Sequence, residues 1–457
     1  MKSSFPIAIL NQLRTIQGFN ETEFLNCQVS MPAVSIRKNP LKWKEIEAIG
    51  RSVPWCSDGI YLDSRPEFIR DPFFHAGHYY VQEASSMFVG ELFQKYCNDK
   101  KAITVLDLCA APGGKSTHIL SVLDTDSILI ANEVSPKRAS ILKENLTRWG
   151  SSNVIVTNNS IRDFANLENY FDVILVDAPC SGSGLFRKMP EFLSEWSEGL
   201  VQQSVHRQKE ILHVAKKCLK PDGFLLYSTC SFSIEENEDR VRWMVDEEGF
   251  SEIDCSKVEL NGICKTAPSS FRFFPDKTEG EGFFVSLLKK KSGLEKGVFF
   301  RKNSKKIFFQ ADLESGFIRD WIKSQENLFF EKSETTQKRT FFYFPWARVA
   351  DLEYIDSKLR IIKKGVRVGD YINKDFVPDH EFALSNMVAD NVPSKELEEV
   401  DFFSYLNKLK LDRLTTSDMK LGFFKVHHKG ASLGWAKNLG KRINNYFPNE
   451  WRVIKNL

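Results

Sequence analysis

Two cysteines stand where apolar runs stop. In LLYSTCSF, residues 225–232, the run ends on Ser228, Thr229 and Cys230; in VILVDAPCSG, residues 173–182, it ends on Asp177, Pro179 and Cys180. Cysteine is more often a small buried hydrophobe than a reactive group, and that reading suits Cys27, Cys97 and Cys218. It suits Cys180 and Cys230 less well, because each lies past the end of a predicted strand. A thiolate adds to electron-poor carbon, and a carboxyl such as Asp177 can hold a proton nearby. The glycines of the following GSG permit close approach of another backbone.

A third stretch, VLDLCAAPGGKSTHIL, leads from a strand into a helix N-terminus, where open α/β sheets bind ligands. The dinucleotide fingerprint GxGxxG is absent. The phosphate-binding pattern GxxxxGK[ST] nearly occurs, since GKS is present at 114–116, but Cys109 occupies its first glycine position. The loop Cys109, Ala110, Ala111, Pro112, Gly113, Gly114 and Lys115 therefore fits S-adenosylmethionine best, whose uncharged ribose and methionyl parts need close backbone but no phosphate nest. Glu133 ends the next strand, 24 residues after Cys109, where an acidic side chain typically accepts from both ribose hydroxyls. Alone, Glu133 reads equally as a surface glutamate.

Two thiols, one carboxyl and a sulfonium donor suit one reaction. Carbon-5 of cytosine is a poor nucleophile until a thiolate adds to carbon-6, and Asp177 could supply the proton that N3 takes up. A second thiol can then assist loss of the C5 proton and release of the first.

The elements that must position these groups alternate strand and helix from about residue 103. ITVLDL, SILIAN, NVIVT, VILVD and FLLYST are short apolar runs; helical spacing in PKRASILKENLTRW and GLVQQSVHRQKEILHVAKKCL separates some of them. This predicts a parallel sheet covered on both faces, closed by an antiparallel pair at 271–275 and 282–288. The 457 residues allow two to four domains, and no apolar stretch approaches the length of a membrane span. Nine cysteines with no CxxC pair argue against a zinc site and for reduced, cytoplasmic thiols, and no signal peptide is evident. Net charge is +3, yet residues 289–306 carry eight basic residues against one acidic, as does the stretch from Lys420 to Leu457. Segregated charge suits a polyanion, although a charge run alone is usually a solvated surface.

CAAPGGK, ANE, DAPCSGSG followed by RK, and STCS, in this order, resemble the Fmu/Sun/nucleolar-protein family of RNA cytosine-5 methyltransferases. SIRKNPLK and PFFHAGHYYVQEASSMF look like that family's N-terminal lobe. SLGWAKNLGKRINNYFP looks like the C-terminal PUA-like RNA-binding domain of its bacterial small-subunit rRNA methyltransferase F group. The resemblance implies a Rossmann-like α/β sheet of seven strands with a closing antiparallel hairpin. It implies Cys230 as nucleophile, Cys180 as the residue assisting release, and Asp177 beside cofactor and target base. Where the family often carries an aspartate after the third strand, this chain has TNNS, so Ser160, or Asn159 in its place, is expected against the cofactor. Arg187 and Lys188 are expected near RNA phosphate, with ordinary surface charge an equal alternative. The expected organisation is an N-terminal RNA-binding lobe over 1–80, a catalytic domain over 81–291 and a basic linker over 292–308. An intermediate α/β region over 309–375 and a PUA-like domain over 376–457 complete it. The expected partner is rRNA of the small subunit, with tRNA, or a catalytically silent assembly factor, as alternatives. A cytoplasmic monomer without metal is expected.

Overall fold

The computed structural model describes the chain except residues 1–4, 44–49, 259–261, 293–307, 311–315, 334–335, 337, 373–374, 412, 415–418 and 454–457. The basic linker expected over 292–308 lies, apart from its two end residues, outside the described residues.

The central sheet is built from β1 (Thr104–Asp107), β2 (Ile128–Asn132), β3 (Val154–Thr157), β4 (Phe171–Asp177), β5 (Leu219–Thr229), β6 (Phe250–Glu252), β7 (Cys264–Ala267), β8 (Ser270–Phe273), β9 (Phe283–Lys290) and β10 (Ile361–Lys364). Its order is β7-β8-β9-β5-β4-β1-β2-β3-β10, with β6 also paired to β9. The strands β1 to β5 run parallel, and β9 inserts antiparallel against β5 with Phe284 opposite Thr229. The hairpin partner β8 pairs Phe271 with Val285. These seven form the expected methyltransferase-like sheet. The other three strands extend it.

Successive residues of each parallel strand serve opposite faces, as the period of two requires. Val105, Leu129 and Ala131 enter one buried cluster, with Phe88 and Leu92 of the preceding helix; Leu106, Ile128 and Ile130 enter the other. The covering helices include α1 (Gly114–Val122), α2 (Pro136–Trp149), α3 (Glu198–Cys218) and α4 (Glu238–Asp246). Pro136 opens α2 at its first turn and Gly150, at φ 85°, ends it, the asymmetry expected of helix termini.

Ahead of the sheet, Val34–Lys38 pairs antiparallel with Cys56–Leu62 and Tyr79–Val81 in a four-stranded sheet. Phe24 of this lobe packs edge-on against Phe232, just past β5. Downstream, phenylalanines from the end of the basic linker onward share the central core. Phe308, Phe329, Phe342 and Phe344 are buried in the cluster that contains Leu106 and Ile174. Strand β10 from this region caps β3 antiparallel, covering an edge that would otherwise stay open. Its partner is about two hundred residues away, which the local pattern IIKK cannot reveal.

Arg348 fastens the same region to the sheet's amino edge. Buried, it pairs with Asp351 and donates to the carbonyls of Ala102, Ile103 and Asp126 and to Thr104 Oγ1. Arg348→Ala leaves these acceptors unpaired and is expected to cost about 3 kcal/mol, measured as a lowered urea midpoint with unchanged slope.

Candidate active site

The order β3-β2-β1-β4-β5 places the topological switch between β1 and β4, and the expected residues gather at the carboxyl ends of these strands. Residues 109–115 follow β1. Gly113 takes φ 113° at the N-cap of α1, a conformation that favours glycine. The loop is tied to the next unit: Ala110 N–H donates to Asn132 O at 2.8 Å, Arg138 Nη2 to Ala111 O and Asn145 Nδ2 to Pro112 O.

Glu133, past the end of β2, is 3% exposed; its carboxylate accepts from Ser135 N–H at 2.9 Å and pairs with Arg138 at 3.0 Å. Asp177 ends β4, where its carboxylate accepts from Lys115 Nζ at 2.8 Å and from Ser228 Oγ at 2.7 Å. Burial opposes the charge on Lys115, but Asp177 outweighs it and holds the ammonium above its ordinary pKa.

The two thiols meet. Cys180 Sγ and Cys230 Sγ lie 3.2 Å apart, both as free cysteines. The contact with Cys230, and then burial, raise the Cys180 thiol well above its ordinary range. Gly184 brings the two loops together: its N–H donates to Cys230 O at 2.9 Å, and a Cβ there would lie 2.7 Å from that oxygen.

A cavity of about 690 Å³, reached by Cys109 and Ala111 of the 109–115 loop, lies against both thiols, within the range of small-molecule sites. Cys109, Ala111, Glu133, Ser160, Asp177, Cys180 and Cys230 all line it, with Phe192 and the exposed Arg207. Ser160 borders this cavity while capping the turn after β3. Asn159 is turned elsewhere: its side chain donates to Arg360 O and accepts from Arg360 N–H, so its amide is already engaged. Burial holds Cys109 as a neutral thiol, far above its ordinary pKa. Lys188 is exposed. Arg187 is not. Its side chain is only 5% exposed, pairs with Glu281 and donates to Gly280 O at 2.8 Å, which corrects its expected place on RNA phosphate: the turn after Gly184 folds the side chain inward against a buried acid.

Sequence reading passed over Asp107 and Glu236. Asp107 ends β1 and binds Ser116 Oγ at 2.6 Å through one oxygen, while Oδ1 has no partner. A carboxylate inside the run VLDL was the available signal. Glu236, in the acidic run EENED, lies in the turn before α4 and is fully buried behind both cysteine loops.

The fold and this cavity define the class: a Rossmann-like methyltransferase with a pair of free thiols at the carboxyl edge of the sheet. Family models match three segments. The RsmF N-terminal domain model covers residues 5–84, the 16S rRNA methyltransferase RsmB/F model 96–289, and the RsmF PUA domain model 396–453. A ribosomal RNA small subunit methyltransferase F of Vibrio campbellii is 30% identical over 99% of this chain and 98% of its own. Its counterpart in Shewanella loihica is 29% identical over 94% of this chain and 91% of its own. Among solved structures, a methyltransferase homolog protein from Pyrococcus horikoshii matches 63% of this chain and 96% of its own, at 27% identity and TM-score 0.52. The fold is also that of NSun6 from the same organism, at 21% identity and TM-score 0.54 over 64% of this chain and all of that one. The chain belongs to the ribosomal RNA small subunit methyltransferase F family.

Asp107 makes one measurable demand. Burial lifts its pKa from 3.8 to about 7, so the folded form holds a proton that the unfolded chain has lost, and folding is penalised as pH rises through that window. Asp107→Asn is expected to add about 2–4 kcal/mol above pH 7 and nothing below pH 4, read from urea melts across the pH range.

Proposed function

We propose that this chain is an S-adenosylmethionine-dependent RNA cytosine-5 methyltransferase acting on small-subunit rRNA. The observation that carries the reading is the pair of free thiols 3.2 Å apart, beside the Lys115–Asp177 ion pair, on a cavity that also reaches Glu133. A purely structural module has no use for that grouping.

The residues fit the cofactor. Loop 109–115 would lie along it, Glu133 would take the ribose hydroxyls, and Ser160 would border the adenine. The unpartnered Oδ1 of Asp107 suits the methionyl ammonium. Bound S-adenosylmethionine would supply an electrophilic methyl on sulfonium.

Cys230, as thiolate, adds to carbon-6 of cytosine, and the C5–C6 π pair becomes available at C5. N3 takes up a proton from solvent as charge develops there, and the Asp177 carboxylate, oriented by Lys115 and Ser228, accepts the N3–H hydrogen bond that holds it. Once C5 carries the methyl, its proton leaves to a base, the C5–C6 double bond re-forms and Cys230 is expelled. Cys180, against Cys230, assists this last stage. The N-terminal lobe and the segment matched to the PUA model would bind the RNA.

Cys230→Ala should abolish methyl transfer, because C5 stays unreactive without the adduct. Cys180→Ala should still attack and methylate but resolve poorly, leaving protein bound to RNA as a slower band on a denaturing gel. Trapping by Cys230→Ala in place of Cys180→Ala would exchange the two roles. The band formed with small-subunit rRNA and not with tRNA settles the substrate; the reverse makes the chain a tRNA enzyme.

Exposed Lys441 and Arg442, in the turn before Ile443–Asn445, offer phosphate contacts. Their joint replacement by Glu should weaken RNA binding and lower the slope of log affinity against log salt by about 2, while calorimetry finds cofactor affinity unchanged.

A further inference from the structure

Glu236 lies where no reacting atom is expected, yet it touches the residue that follows each cysteine. One carboxylate oxygen accepts from Ser181 N–H at 2.8 Å and from Gln208 Nε2 at 3.2 Å. The other accepts from Ser181 Oγ at 2.6 Å and from Ser231 Oγ. Gln208 also donates to Pro179 O at 3.1 Å, on the other side of Cys180. The backbone of Glu236 is fixed in turn, its carbonyl accepting from Tyr227 Oη at 2.6 Å. Asn237 holds the second loop from beneath, accepting from Thr229 Oγ1 and donating to Ser231 O at 2.7 Å.

A buried carboxylate is expensive unless its lone pairs are filled. Here four neutral donors fill them, and no ion pair to Glu236 occurs among the described residues. Burial raises its pKa and those donors pull it back. A hydrophobic residue of similar size would pack here at lower cost. What it could not do is bind two separate loops at once.

We propose that Glu236 is a positioning residue that sets the spacing of Cys180 and Cys230 by clamping Ser181 and Ser231 to one carboxylate. The two cysteines come from loops fifty residues apart, after neighbouring strands, and each loop is glycine- or serine-rich next to its cysteine. The clamp adds to the Gly184–Cys230 backbone bond a side-chain tie between the residues next to the two thiols. This role rests on the methyl-transfer reading only for its use, since the spacing itself can be measured without RNA.

The variants Glu236→Asp and Glu236→Gln separate reach from charge. Aspartate keeps the charge but is one methylene too short to meet both loops. Glutamine keeps the length: its oxygen can accept from Ser181 N–H and Gln208, and its amide can donate to the two hydroxyls. Spacing is read as the rate at which diamide, an azo oxidant that takes up the two hydrogens, closes a Cys180–Cys230 disulfide, followed by peptide mass mapping. Function is read as kcat and KM with transcribed small-subunit rRNA. Glu236→Asp is expected to slow closure at least tenfold and lower kcat about a hundredfold with KM for RNA unchanged, and Glu236→Gln to stay within about threefold of the unmodified chain on both. Closure at the unmodified rate in Glu236→Asp, or equal impairment in Glu236→Gln, would overturn the proposal. Slowed closure in Glu236→Asp when the unmodified chain does not methylate RNA would instead sink the methyl-transfer reading and leave the clamp standing. If circular dichroism shows Glu236→Asp unfolded, the double variant Ser181→Ala/Ser231→Ala removes two of the four donors and is read the same way.

Discussion

The parallel pairing of β4 with β5 is the constraint from which the rest follows. It sets Asp177 opposite Ser228, so that both strands end at the same height and both cysteine loops leave the sheet side by side. Strand side chains alternate with a period of two, and a slip of one residue would turn Asp177 and Ser228 to the wrong face and bury polar groups against the helices. The apolar residues between, Val173 to Val176 and Leu225 to Tyr227, are almost completely buried and hold that register. The Ser228–Asp177 hydrogen bond, the thiol contact and the Glu236 clamp all presuppose it.

A sheet edge that collects Asp107, Glu133, Asp177 and Glu236 within a low-dielectric fold must satisfy or neutralise each of them. The structure uses a different device for each. Asp177 has Lys115, delivered by the first turn of α1; Glu133 has Arg138 and the Ser135 N–H at the start of α2; Glu236 has neutral donors alone. Asp107 is incompletely paired, which is why burial moves its titration to near neutrality. Stability is given up at the position that borders the loop 109–115.

The site also depends on chain far outside the sheet. Arg360, just before β10, bonds to Asn158 and Asn159 through both backbone and side chain, and Asn158 Nδ2 donates to the carbonyls of Glu133 and Val134. From the other direction, Tyr80, Gln82 and Glu83 of the N-terminal lobe border a smaller cavity of about 180 Å³ with Asp107, Lys115 and Asp177. The residues around the site are therefore held by three separate stretches of sequence.

Much of this was legible in the chain alone. Strand–helix alternation from residue 103, the GG turn ahead of Lys115 and the two strand-ending cysteines are local signals, carried by backbone propensity and by periods of 2 and 3.6 that neighbouring residues share. They determined the sheet, its hairpin and the loop 109–115. Other features needed tertiary structure, because their energetics lie between residues far apart. Asn159 looked available for a cofactor until Arg360, 201 residues on, took its amide. Arg187 looked like surface charge until Glu281, 94 residues on, drew it inside. Glu236 is one of several acids in the run EENED, with nothing local to single it out. Only the packing of two loops over it reveals a buried carboxylate, since the cost of desolvating a charge and the donors that offset it are properties of the folded surroundings rather than of any short stretch of sequence.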